Sequence, residues 1–188
     1  LVDEGHDIFL VTFCNAWESL PTGFDKDTLI NEQLMAAEAI GLKKQNIYFK
    51  DYPVRRFPEF RQEILDDLIL LKKQIQPNII FGPSKGDIHQ DHTTLAHEMI
   101  RAFKDKTIFS YVLPWNMISE KNQVYVEVDQ KHLDKKSKAI ACYESQSKRS
   151  YMAPDKINAL TIANGIDVNL RASEKFEAVR IIFRSEGR

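Results

Sequence analysis

Residues 77–92 read Pro-Asn-Ile-Ile-Phe-Gly-Pro-Ser-Lys-Gly-Asp-Ile-His-Gln-Asp-His. Pro77 stops whatever helix precedes it. Asn78-Ile79-Ile80-Phe81 is a short run of β-formers, bounded by turn residues, and predicts a buried strand. Gly82-Pro83-Ser84-Lys85-Gly86 ends it. A helix over about 92–103 follows, then an apolar stretch at 107–112 that reads as another strand. Strand, loop, helix and strand in this order describe one β-α-β unit of a parallel sheet.

The same alternation extends in both directions. Ile8-Phe9-Leu10-Val11-Thr12-Phe13 predicts a strand, preceded at residues 1–4 by what reads as the tail of a helix ending near Gly5. Residues 15–24 read as a loop, broken by Pro21 and Gly23. Leu29, Leu34, Ala37 and Ile40 share a helical face closed by Gly41. A second strand is expected at 46–49. Phe60, Ile64, Leu68, Leu71 and Ile75 then repeat at helical spacing. Beyond 112, a strand is expected at 124–128 and helices at 131–143 and 154–163. Residues 174–183 fit a helix or a strand. The expected class is α/β: a Rossmann-like three-layer αβα sandwich with a mostly parallel sheet, in one domain over 1–188.

Bulk composition narrows the function. The chain has 188 residues, 43% hydrophobic and 28% charged, as a soluble globular domain has. Its formal net charge of −1 gives no bulk attraction to nucleic acid or to an anionic membrane. No apolar run reaches the roughly 18–20 residues of a membrane span. Cys14 and Cys142 each sit in an apolar stretch and read as two buried free thiols, which favours a reducing, cytoplasmic compartment. The chain begins without Met, so a targeting segment is not excluded.

Chemistry concentrates after residue 81. Ligands of open parallel sheets bind beyond the carboxyl ends of the strands. There the chain places Asp87, His89, Asp91 and His92 within six positions. His89 and His92 are three apart, so at a helix start both imidazoles can share a face. Imidazole suits zinc, and a metal-bound His commonly gives its other N–H to a carboxylate. Asp91 is the expected orienting partner of His89. A polar loop that merely caps the next helix is the plainer alternative.

The segment 77–92 resembles the second motif of the PIG-L/LmbE-like zinc de-N-acetylases. Further pieces follow in that family's order. Lys138-Ala139-Ile140 with Ser145-Gln146 resembles its K-x-x-A-I…S-Q segment, and 172–180 its closing A-E-x-F-E-x-x-R stretch. Glu32 with Ala36, Ala37 and Gly41 is similar to its E-x-x-x-A-A-x-x-L-G helix. The resemblance implies hydrolysis of an N-acetyl group from an amino sugar or sugar conjugate. His92 would be a zinc ligand, His89 the imidazole that stabilises the oxyanion, and Asp91 its carboxylate partner. Zn2+ is the expected cofactor, with Fe2+ or Co2+ able to occupy such a site. Two departures stand out. The family's H-P-D-D motif is absent, so the domain reads as truncated at its N-terminus. Leu29 stands where the family often has Arg.

Substrate contacts are expected from several places. Arg55 and Arg56 are candidates for the pocket mouth, against a solvated loop pair as the alternative. Trp115 and Asn116 follow a strand end, where an indole can stack on a sugar ring, against core or rim packing as the alternative. Ser145 and Gln146 follow a helix and serve either substrate or a helix-end cap. The expected partner is an N-acetylated sugar or glycoconjugate; self-association into a homo-oligomer stays open. A fold that only binds carbohydrate is the competing reading.

Overall fold

The computed structural model describes residues 1–118 and 123–184. Its chain divides into two compact units, each assembled from two separate stretches.

The first unit comprises 1–54 and 127–174. Here β1 (Leu10–Thr12) pairs in parallel with β2 (Ile47–Phe49), Leu10 opposite Ile47 and Thr12 opposite Phe49. Between them runs α1 (Thr28–Ala39), which buries Glu32, Ala36 and Ala37 and packs against α4 (Gln130–Ala141). Asp129 starts α4 with a capping box: its side chain accepts from the His132 amide while its own amide donates to the His132 ring. Next to α4 lies α5 (Pro154–Ile166). Gly165, near the end of α5, lies against the backbone of the turn that follows; an added Cβ would stand 2.5 Å from the Leu170 carbonyl oxygen. The expected helix tail at 1–4 is instead a single 3-10 turn, Val2–Glu4.

The second unit comprises 55–126 and the chain from 175 onward. Its described sheet has the order β3-β4-β6-β5, with β3 (Ile79–Pro83), β4 (Thr107–Tyr111), β5 (Gln123–Glu127) and β6 (Ser173–Arg180). β3 and β4 run parallel, whereas β4 and β6 run antiparallel with an irregularity between Ile108 and Phe109. The sheet is therefore mixed, not the mostly parallel one expected. The ambiguous stretch near 174–183 is strand, because it closes a ladder with β4. Its helices are α2 (Arg61–Ile75) and α3 (Gln90–Ala102), which pack on each other. The spacing read in α2 is a real core face: Ile64, Leu68 and Leu71 are buried. Between the helices Glu98, fully buried, accepts from Arg61 at 2.7 Å and Arg101 at 2.5 Å.

β3 departs from its expected burial. As the end strand of the described sheet it leaves Ile79 47% and Phe81 44% exposed. Phe81 retains ring contacts with Phe109 and Phe176 at 5.7 and 5.3 Å. No helix among the described residues is long and apolar enough to cross a membrane.

Candidate active site

The cluster expected after residue 81 forms within the second unit, where the carboxyl end of β3 turns into α3. Ser84 anchors the turn. Its buried hydroxyl bonds the Glu177 carboxylate and accepts the Gly86 amide at 3.0 Å. Asp87 comes next and organises everything after it. One carboxylate oxygen accepts the His89 amide at 2.8 Å, closing a tight Asx-type turn. The other lies 2.7 Å from His92 Nδ1 and receives the Asn116 amide at 3.4 Å. The Asp87 carbonyl takes the Thr93 hydroxyl at 2.6 Å. The Ile88 amide, in turn, donates to the Asn116 carbonyl at 3.0 Å.

His89 is the residue that starts α3, and its ring does the capping: Nδ1 accepts the Asp91 amide at 3.2 Å. The helix-capping role read as the plainer alternative is thus filled by His89. Three positions on, His92 faces it, with ring centroids 4.6 Å apart and planes 27° apart.

These bonds distinguish the two neutral imidazoles. His89 Nδ1 is occupied as an acceptor, so its proton sits on Nε2, a donor. In a neutral His92, a bond to the Asp87 carboxylate calls for the proton on Nδ1 and leaves the lone pair on Nε2, as in a metal-ligating imidazole. Burial lowers the His89 pKa, and the neighbouring His92 lowers it further, against the pull of Asp91 and Asp87. Tyr111, at the end of β4, is pushed up to about 12 by burial and by the charge of Asp87, although 36% of its side chain stays accessible.

Asp91 does not take the partner role expected of it. It is buried, and its carboxylate accepts the amides of Arg55 at 2.5 Å and Phe57 at 3.1 Å, not the His89 ring. The reason is helical geometry: Asp91 lies one position before His92, about 100° around the axis, facing the 55–57 loop. The orienting carboxylate is Asp87, which pairs with His92. Its sequence signal was an Asp two residues before the helix-starting His, the spacing of an Asx turn.

The expected substrate residues separate. Arg55 has a positive φ of 64° and serves the loop through its backbone, its carbonyl taking Gln90 at 3.3 Å. Arg56 is exposed and ion-paired with Glu59. Trp115 is 42% exposed in the turn Pro114–Asn116, and Asn116 holds Asp87. Ser145 and Gln146 belong to the first unit and are buried. The Ser145 amide and hydroxyl both donate to Glu32, at 2.7 and 2.6 Å, and Gln146 donates to the Ser145 hydroxyl. These side-chain bonds tie the pair to Glu32 of α1 rather than capping the end of α4.

Catalytic zinc takes about three protein ligands. Among the described residues no three His, Cys, Asp or Glu side chains are grouped to hold a metal ion. The described chain therefore does not by itself fit a catalytic zinc site.

No family model matches the chain, and no curated protein matches it. Solved structures do. The A40926 pseudoaglycone deacetylase aligns at TM-score 0.78 and 13% identity, over 97% of this chain and 89% of its own. N,N'-diacetylchitobiose deacetylase from Pyrococcus horikoshii gives 0.73 and 18%, over 94% and 74%. The 4-carboxy-2-hydroxymuconate hydratase from Pseudomonas putida gives 0.74 and 15%, over 100% and 90%. The chain shares their α/β fold. Identities this low show the fold alone, and a hydratase beside two deacetylases shows that one fold hosts more than one reaction.

Proposed function

We propose that the chain is an amide hydrolase of the de-N-acetylase kind, acting on an N-acetylated amino sugar or sugar conjugate. The observation that carries it is the Asp87–His92 pair at 2.7 Å beside a stacked His89 whose Nδ1 accepts the Asp91 amide. The fold common to two deacetylases supports it, as does the resemblance of 77–92 to the PIG-L/LmbE-like motif. The two parallel strand pairs, each joined through a helix, support a Rossmann-like build as part of the same reading.

The roles follow from the hydrogen bonds. As water adds to the acetyl carbonyl carbon, His89 Nε2–H donates to the oxygen that gains charge; the C–N bond then breaks, the amine leaves with a proton from the water, and acetate is released. Asp91 holds the ring for this, its amide fixing Nδ1 and its carboxylate fixing the 55–57 loop. Such a preorganised donor lowers the barrier by about 3–4 kcal/mol. Asp87 keeps the His92 lone pair on Nε2, the one ligand-ready imidazole beside it. Trp115 offers an exposed face to a sugar ring, and Arg55 and Arg56 border the same unit. Zinc, Fe(II) or Co(II), if bound, would polarise that carbonyl; His92 Nε2 is the atom that could ligate it, and the described residues group no three-ligand set around it.

A carbohydrate-binding domain without catalysis is the second reading, favoured by the ligand set of the described residues. Acetate release decides between them. The protein is incubated with N-acetylglucosamine or N,N'-diacetylchitobiose and each of the three ions in turn. The expected outcome is acetate release that falls about 100- to 1,000-fold in His89→Ala and is lost in His92→Ala. Calorimetric sugar binding with no acetate under any of the ions would sink the hydrolase reading and leave the second.

A further inference from the structure

The second unit holds a cavity of about 470 Å³ that the proposed reaction does not use. It lies where α2 and α3 both end. Lys72 and Lys73 come from the last turn of α2, Arg101 from that of α3, and Lys104 and Lys106 from the segment leading to β4. The 13 residues of α3 separate it from His89 by about 20 Å.

Five cations line the cavity, and among the described residues two carboxylates pair with them. Lys72 pairs with Asp105 and donates to the Ala102 carbonyl at 3.1 Å. Lys106 stands 4.0 Å from the other Asp105 oxygen. Arg101 shares Glu98 with Arg61. Lys73 and Lys104 have no ion-pair partner among the described residues. Positive charge thus exceeds negative charge around the cavity.

Cations suit helix ends, where the last carbonyl groups carry partial negative charge. That accounts for Lys72, Lys73 and Arg101. It does not account for Lys104 and Lys106, which lie beyond α3. Nor does it account for burial: the Lys72 and Lys106 side chains are 25% and 18% exposed, whereas lysine ordinarily keeps its charge in water. Like charges gathered this way repel, and a multivalent anion among them would offset the repulsion.

The ammonium group is compact and has three donors, which suits phosphate oxygens. One phosphate cannot reach charges spread over two helix ends and a connecting segment; a chain of two or three can. No aromatic side chain lines the cavity, so nothing there stacks on a base. We propose that this cavity binds a short oligophosphate, free or as the phosphate chain of a nucleotide, through charge alone.

The test is isothermal titration calorimetry of the full chain with sodium tripolyphosphate at low salt. Saturable binding at one site is expected. Lys73→Gln and Lys104→Gln are each expected to weaken it about fivefold, the effect of one unit charge about 4 Å away in water. Both residues are exposed, so each variant is expected to melt as the parent chain does. Lys156→Gln, an equal loss of charge at an exposed position of α5, is expected to leave the affinity unchanged. Citrate, a multivalent carboxylate, is expected not to compete. Absence of saturable binding overturns the proposal. So does competition by citrate equal to that of tripolyphosphate, or affinity that falls as far in Lys156→Gln as in the cavity variants. ATP separates the two sources. Affinity equal to that of tripolyphosphate admits a nucleotide, and failure to compete assigns the site to the free anion. Much tighter binding of ATP overturns recognition by charge alone.

Discussion

At the scale of single residues, two carboxylates four positions apart do different work. Asp87 sets the chemistry of His92, and Asp91 sets the position of the 55–57 loop. Nitrogen-15 spectra above the imidazole titration range should find His92 protonated on Nδ1 and His89 on Nε2. Asp87→Ala should mix the His92 tautomers and leave His89 as it was; an unaltered His92 would disprove the assignment. Asp91→Ala should instead act on stability. It strips two backbone N–H groups of their acceptor, a loss of about 2–3 kcal/mol, measured by urea unfolding. The sequence made the cluster legible, since two imidazoles and two carboxylates crowd six positions. It did not say which acid serves which imidazole, because that depends on where the helix starts. His89 lies outside the first turn as its cap, so Asp87 comes over the helix end while Asp91 is carried away from it.

At the scale of elements, Gly165 shows how a local preference loses to packing. Alanine is the better helix former by about 1 kcal/mol. Yet its methyl group would meet the Leu170 carbonyl and the Ala172 backbone, which have no side-chain freedom to give way. Gly165→Ala should therefore lower stability, by about 1–3 kcal/mol once the propensity gain is offset. A higher melting temperature would show that the turn relaxes. Helix α2 was the most legible element, because Ile64, Leu68 and Leu71 repeat on one face. β6 was the least. Its side chains are half-buried along most of its length, so no alternation marks it, and only its ladder with β4 decides its state. Ser145 was ambiguous for a related reason: its partner Glu32 is distant in sequence, and nothing local signals a buried carboxylate waiting for two donors.

At the scale of the whole chain, the α/β class was readable from alternation, but the mixed sheet was not, because strand direction depends on pairing with β6. The described sheet also ends on β3, whose Ile79 and Phe81 are left nearly half exposed. An apolar end strand of this kind is a template for association between copies. Ile79→Lys should reduce light scattering at high concentration and delay aggregation on heating, with little change in melting temperature. Unchanged scattering would remove β3 from suspicion.

Each unit draws on stretches that the other interrupts: 1–54 joins 127–174 across the intervening 55–126. A single proteolytic nick therefore cannot release either unit whole. During synthesis, α1 emerges long before α4, the helix it packs against. At ordinary elongation speeds that wait is on the order of ten seconds. Throughout it the α1 face that carries Glu32, Ala36 and Ala37 waits for its covering helix.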